Sequence, residues 1–139
     1  MKVLLVNGSP HKEGCTYTAL CELSGALNQN GIDTDMFWIG NKPISGCIAC
    51  YKCVEQNKCV ITDSVNELEI AGDYDGFVFG TPVHWGGACG AITSFLDRAF
   101  YADAKGGGKR FLFKPAAAVI SARRAGTTFT WDQLNKYFG

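Results

Sequence analysis

Four of the seven cysteines in this chain fall in one short stretch, Gly46-Cys47-Ile48-Ala49-Cys50-Tyr51-Lys52-Cys53 and then Cys59, a C-x2-C-x2-C-x5-C pattern. Three thiols so close in sequence can wrap three corners of a compact inorganic cluster, and the fourth returns after a short excursion. The spacing of the first three is the one by which cysteine runs hold cubane iron–sulfur clusters. Zinc sites more often pair two C-x2-C knuckles across a long gap. Zinc therefore ranks behind a cluster, and a bare loop of free or oxidised thiols stays open beside both. The apolar run Val3-Leu4-Leu5-Val6 after Met1-Lys2 is too short for a signal-peptide core and reads as a strand. Outside a secretory context, an odd number of cysteines points to metal or redox chemistry rather than a disulfide framework. Cys21 and Cys89 sit in helical patterns and read as packing residues. His11 and His84 are the only histidines, too few for a histidine metal site.

Three other stretches place polar or aromatic side chains where an apolar run gives way to a helical pattern. The first is Gly8-Ser9-Pro10-His11-Lys12-Glu13-Gly14-Cys15-Thr16. It is neither a G-x-G-x-x-G dinucleotide fingerprint nor a Walker A loop. It leads into a helix N-terminus, where unpaired N–H groups and the helix dipole attract a phosphate. Ser9, Thr16 and Tyr17 can add hydroxyls, and His11 or Lys12 a cation. An ordinary polar turn is the plainer alternative. The second, Thr81-Pro82-Val83-His84-Trp85-Gly86-Gly87, combines rings that can wall a flat ligand with glycines that let backbone N–H groups approach its edge. The third, Ser121-Ala122-Arg123-Arg124-Ala125-Gly126-Thr127-Thr128, carries two arginines that could balance negative charge, or form a solvated basic turn or subunit contact.

The elements that must position these loops follow from hydrophobic periodicity. Lys2–Asn7, Gly76–Gly80 and Ala116–Ala122 are short apolar runs of the kind found in strands buried on both faces, and Ile32–Trp38 reads as an edge or half-solvated strand. Ala19, Leu20, Leu23, Ala26 and Leu27 share one helical face closed by Gly31; Ile92, Phe95, Leu96, Ala99 and Phe100 share another. Ser64-Val65-Asn66-Glu67 and Thr130-Trp131-Asp132-Gln133 have capping-box spacing and predict helix starts. The order β-α-β-(cysteine stretch)-α-β-α-β-α predicts an α/β fold with a doubly wound parallel sheet. Such sheets bind ligands at the C-terminal strand ends beside the topological switch point. The three loops are expected there, and so is the cysteine stretch, which follows the second strand.

Lys+Arg 13 balances Asp+Glu 13, so the chain lacks the excess of positive charge that a nucleic-acid binder needs. With 47% hydrophobic and 19% charged residues it is not a disordered chain, and no apolar run reaches the roughly 20 residues that span a bilayer. A single cytoplasmic domain over residues 1–139 is expected. Four strands are counted where a sheet of this type usually has five. The expectation is a C-terminally incomplete domain or an edge covered by a partner subunit.

Taken together, strand–Gly8-Ser9-Pro10-His11-Lys12-Glu13-Gly14-Cys15-Thr16–helix, then Gly80-Thr81-Pro82-Val83-His84-Trp85-Gly86 before a helix bearing Phe95-Leu96-Asp97-Arg98, resemble the flavodoxin-like NAD(P)H-dependent FMN reductases over essentially the whole chain. The cysteine motif, in spacing and place, resembles the iron–sulfur flavoprotein subgroup. The resemblance implies a three-layer α/β/α flavodoxin-like sheet and bound FMN, with Ser9, His11, Cys15, Thr16 and Tyr17 around the phosphate. Pro82, Val83, His84, Trp85 and Gly86 would lie along the isoalloxazine ring, and Ser121, Arg123, Arg124 and Gly126 would close its other side. Cys15 stands where relatives often carry Asn or Ser, and His84 where they often carry Tyr. Cys47, Cys50, Cys53 and Cys59 would be the ligands of a [4Fe–4S] cluster. The function implied is electron transfer from NAD(P)H through the flavin to a cluster or a soluble acceptor, in a homodimer or homotetramer. The flavin carries that chemistry, so no catalytic acid, base or nucleophile is expected. Two other functions fit the same residues: a flavodoxin-type or iron–sulfur electron carrier without NAD(P)H oxidation, and a cysteine-based metal or redox sensor without flavin.

Overall fold

A computed structural model describes residues 1–139. Four strands, β1 (Lys2–Asn7), β2 (Asp33–Trp38), β3 (Gly76–Pro82) and β4 (Ala116–Ser121), form one sheet in the order β2-β1-β3-β4. Every pairing is parallel, with Val6 opposite both Phe37 and Phe79, and Phe79 opposite Ala118. Five α-helices connect or follow them: α1 (Cys15–Gln29), α2 (Cys53–Gln56), α3 (Ser64–Glu67), α4 (Gly90–Lys105) and α5 (Thr127–Asn135).

The period-2 alternation of the strands decides which helix packs where. Val3, Leu5 and Val78 point to the α1 side and pack with Leu20, with Leu23 and Leu27 against them. Leu4, Val6, Phe77 and Phe79 point the other way, into the larger core with Val65 and Leu68, with Ile92, Phe95, Leu96 and Ala99 of α4, and with Leu134 of α5. The result is three layers, with α1 on one face and α3 to α5 on the other. The path leaves β1 toward β2, then crosses β1 to β3 and β4, so the switch point lies between β1 and β3. No helix is long and apolar enough to cross a membrane.

Several local expectations shift. Asp63, not Ser64, caps α3: its Oδ1 accepts from Val65 N–H at 3.0 Å, and Asn66 Oδ1 accepts from Asp63 N–H at 3.0 Å. Both residues are capping types, and the box closed by Asn66 selects the earlier one. The last helix starts at Thr127, ahead of the expected Thr130, because Thr130 is fully buried against the core and Gly126, at φ 94°, makes the turn instead. The cysteine stretch, expected to be irregular, contains the short helix α2, which ends on Asn57 in the left-handed region at φ 52°.

Candidate functional site

The loop after β1 is built from the strand outward. Asn7, fully buried, accepts from Ser9 N–H at 3.0 Å and donates Nδ2 to the Lys12 carbonyl at 3.0 Å. Ser9 Oγ accepts from His11 N–H at 3.1 Å, and Trp38 Nε1 at the end of β2 donates to the Ser9 carbonyl at 2.8 Å. Gly8 N–H donates to Gly80 O at 2.8 Å, tying the loop's first residue to β3. Asn7 and Trp38 did not emerge from the sequence as site residues. Their only signals were a polar residue at the end of an apolar strand and a tryptophan at the end of β2.

The loop delivers the chain to Gly14, the N-cap of α1, which offers no side-chain cap. The first-turn N–H groups of Cys15, Thr16 and Tyr17 precede the first residue able to bond back within the helix, Thr18 N–H to Gly14 O at 2.9 Å. Thr16 is buried, and its hydroxyl is 2.8 Å from that of Ser121 at the end of β4. A hollow of about 400 Å³ opens here, lined by Ser9, His11, Gly14, Cys15 and Thr16, by Pro82 and Val83, and by Ser121, Ala122 and Arg123. No carboxylate lines it. Uncapped helix N–H groups, hydroxyls, an arginine and a histidine suit a phosphate.

The rest of the expected set lies outside that lining. Tyr17 lies one turn before Cys21 on α1, and the neighbouring thiol raises its pKa. His84, Trp85 and Gly86 ride on a turn closed by the Val83–Ala88 bridge, and Trp85 is 98% exposed. Gly126 joins the second and third loops: a Cβ there would lie 2.8 Å from Gly86 Cα and 2.8 Å from Val83 Cγ1. Arg124 is exposed on the same loop.

The four cysteines of the motif line a second, small and mostly apolar hollow of about 20 Å³, with Ile48, Tyr51, Val60, Ile61, Arg98, Tyr101 and Ala102. Cys53 is buried, Cys59 half-buried, and Cys47 and Cys50 are exposed. Ala49 at φ 52° and Tyr51 at φ 60° take left-handed conformations that side chains resist, so the loop holds local strain. Ala49 N–H donates to Cys47 Sγ at 3.4 Å. Burial raises the Tyr101 pKa, reinforced by Tyr51, Cys53 and Cys47. Burial works to lower that of Arg98, but Asp63 and Cys59 outweigh it and the net shift is upward. The thiols share the hollow without converging on one point as ligands of a single ion would. In donor chemistry, four soft sulfurs, an apolar wall and N–H groups aimed at sulfur match what an iron–sulfur cluster takes.

This second hollow is not at the strand ends, contrary to expectation. It shares no lining residue with the first and rests on Arg98, Tyr101 and Ala102 of α4. At about 1.5 Å per residue these lie roughly 12–18 Å along α4 from Gly90, which starts at the strand ends. After β2 the chain folds back over α4 instead of staying at the rim.

A doubly wound parallel sheet with a polar hollow at its switch point is an architecture that binds nucleotides, flavins among them. The profile of the NADPH-dependent FMN reductases matches residues 1–139. An iron-sulfur flavoprotein of Methanocaldococcus jannaschii is 33% identical over 145 residues, covering 99% of this chain and 72% of that protein. The chain belongs to the NADPH-dependent FMN reductase family of FMN-dependent oxidoreductases, in its iron–sulfur flavoprotein subgroup. Among solved structures, RosB with bound 8-demethyl-8-formylriboflavin-5'-phosphate superposes at TM-score 0.76 with 15% identity, over 100% of this chain and 59% of that one. FerB, a flavoenzyme NAD(P)H:(acceptor) oxidoreductase from Paracoccus denitrificans, superposes at 0.69 with 20% identity, over 98% of this chain and 70% of that one. These likenesses establish the flavodoxin-like fold.

Proposed function

We propose that the chain binds FMN at the switch-point hollow and works as an NAD(P)H-dependent oxidoreductase, with Cys47, Cys50, Cys53 and Cys59 holding a [4Fe–4S] cluster that receives the electrons. The observation that carries the flavin reading is the convergence of the uncapped α1 N-terminus, the Thr16–Ser121 hydroxyl pair and the Pro82–Val83 wall on one hollow. Bound FMN would supply hydride acceptance and single-electron release. The chain's own part is to bind and orient. First-turn N–H groups and the Ser9 and Thr16 hydroxyls would take the phosphate, and His11 and Arg123 would balance its charge. Pro82 and Val83 would support the ring, while the turn bearing His84, Trp85 and Gly86 and the loop bearing Arg124 and Gly126 would flank it. Trp85 and Tyr51, 98% and 60% exposed, are surfaces a second copy of the chain would cover in a homo-oligomer.

Release of the cofactor and mass measurement tests this reading. FMN is expected, because one phosphate-sized loop leads into α1 and no dinucleotide fingerprint accompanies it. FAD, or no flavin after reconstitution, would overturn it. Turnover of NADPH with a dye acceptor separates the oxidoreductase from a carrier that binds FMN without oxidising nicotinamide. The visible spectrum of anaerobically purified protein separates both from a flavin-free sensor.

The brace at Ser9 gives a further expected result. Trp38→Phe removes the Nε1 donor from the Ser9 carbonyl while keeping a ring. A stability loss of about 1 kcal/mol is expected, with several-fold weaker FMN binding by fluorescence titration. Unchanged binding would show that the loop holds its shape without Trp38.

A further inference from the structure

Arg98 is 1% exposed and reaches the cysteine stretch from α4, an element that contributes none of the four cysteines. A guanidinium has five N–H donors, and here all of them are used. Nε donates to Cys59 Sγ at 3.2 Å. Nη1 donates to the Ser45 carbonyl at 3.3 Å and to Asp63 Oδ2 at 2.5 Å. Nη2 donates to the Ile61 carbonyl at 2.8 Å and to Asp63 Oδ1 at 3.1 Å. Ser45 lies just before Cys47, whereas Ile61 and Asp63 lie just after Cys59, so one side chain fastens both ends of the stretch to α4.

The paired bonds to Asp63 account for burying the charge. They do not account for Nε–H aimed at a sulfur. A neutral thiol is a weak acceptor, whereas a ligating thiolate carries negative charge and accepts a much stronger, charge-assisted bond. Donors to cluster sulfurs set reduction potential, because reduction adds negative charge that the donor stabilises more than it does the oxidised state. The apolar wall of the hollow magnifies that difference.

We propose that Arg98 is a positioning residue of the cysteine site: it holds Cys59 in ligating place and, through the Nε–H···Sγ bond, raises the reduction potential of the cluster. The proposal rests on the cluster reading given above.

The experiment is a redox titration, followed by electron paramagnetic resonance, of anaerobically reconstituted wild-type protein and Arg98→Lys. Lysine keeps one positive charge but has neither the fork nor an Nε–H. The expected result is a cluster midpoint shifted to more negative potential, with cluster loss to a chelator accelerated several-fold. FMN retained in the same sample reports that the sheet has folded. Iron bound with the midpoint unmoved overturns the role of Arg98 alone. Iron at background in the wild type overturns the cluster reading and this proposal with it. If Arg98→Lys does not fold, wild-type protein grown on isotopically labelled arginine decides. Magnetic coupling of an arginine nitrogen to the reduced cluster supports the contact, and its absence overturns it.

Discussion

Serine in place of Cys50 or Cys53 is expected to abolish bound iron and the cluster's visible absorption while FMN stays in place. An alkoxide-forming hydroxyl is a hard, poorly ionised ligand, whereas the proposed iron–sulfur cluster would take soft thiolates. Losing one of the four proposed ligands would also break the short-range wrapping that the C-x2-C-x2-C spacing offers. The two effects should separate cleanly, because no residue lines both the cysteine hollow and the switch-point hollow. Iron and acid-labile sulfide analysis alongside flavin quantitation measures both in one preparation. Loss of flavin together with iron would mean that the cysteine loop supports the flavin site, contrary to the separation seen here. Iron at background in anaerobically prepared wild-type protein would sink the cluster reading and leave the flavin reading standing.

The second large effect is expected at Gly8. A Cβ there would lie 2.8 Å from Gly80 O, 2.8 Å from Ile92 Cδ1 and 2.9 Å from Ile92 Cβ. One neighbour is strand backbone and another is the branched carbon of a fully buried isoleucine, so neither can give way. Gly8→Ala must push the loop off β3 and lengthen the bond from its N–H to Gly80 O. The expected destabilisation is about 1–3 kcal/mol. Because the displaced loop is the one proposed to take the phosphate, FMN affinity should fall by about tenfold or more. Denaturant midpoints with and without FMN measure the two losses. Gly25→Ala is the contrasting control: nothing lies within 4 Å of its Cβ position, and it sits inside α1. There a gain of about 0.5–1 kcal/mol is expected. Equal behaviour of the two variants would refute the close-approach account of Gly8.

Much of this architecture is legible in the residues themselves. The buried strands β1 and β3 announce themselves as apolar runs, but β4, expected to be buried on both faces, is a half-exposed edge strand. Only the packing decided that Val3 and Leu5 face one layer and Leu4 and Val6 the other. The parallel order follows from strands alternating with helices, and the switch point follows from that order. The cysteine spacing and the loop into α1 are local motifs, so their chemistry could be read without knowing what surrounds them. Local signals also misplaced some boundaries. Thr130 has good capping spacing, but burial against the core overrides it.

What only the tertiary structure decided depends on residues far apart in sequence. The Thr16–Ser121 hydroxyl pair, the Trp38–Ser9 brace and the contact of Gly126 with Gly86 exist because the parallel sheet brings its strand ends together. No periodicity encodes such pairings. The cysteine stretch was placed at the strand ends by its position after β2, yet it folds back onto α4, where Arg98 bonds Ser45, Cys59, Ile61 and Asp63. The physical reason is charge: a guanidinium enclosed by an apolar core must satisfy its donors, and the nearest carbonyls, carboxylate and sulfur belong to that stretch. The sequence by itself narrowed the cysteines to cluster, zinc or free-thiol chemistry, and the burial of one arginine decided where in the fold they lie.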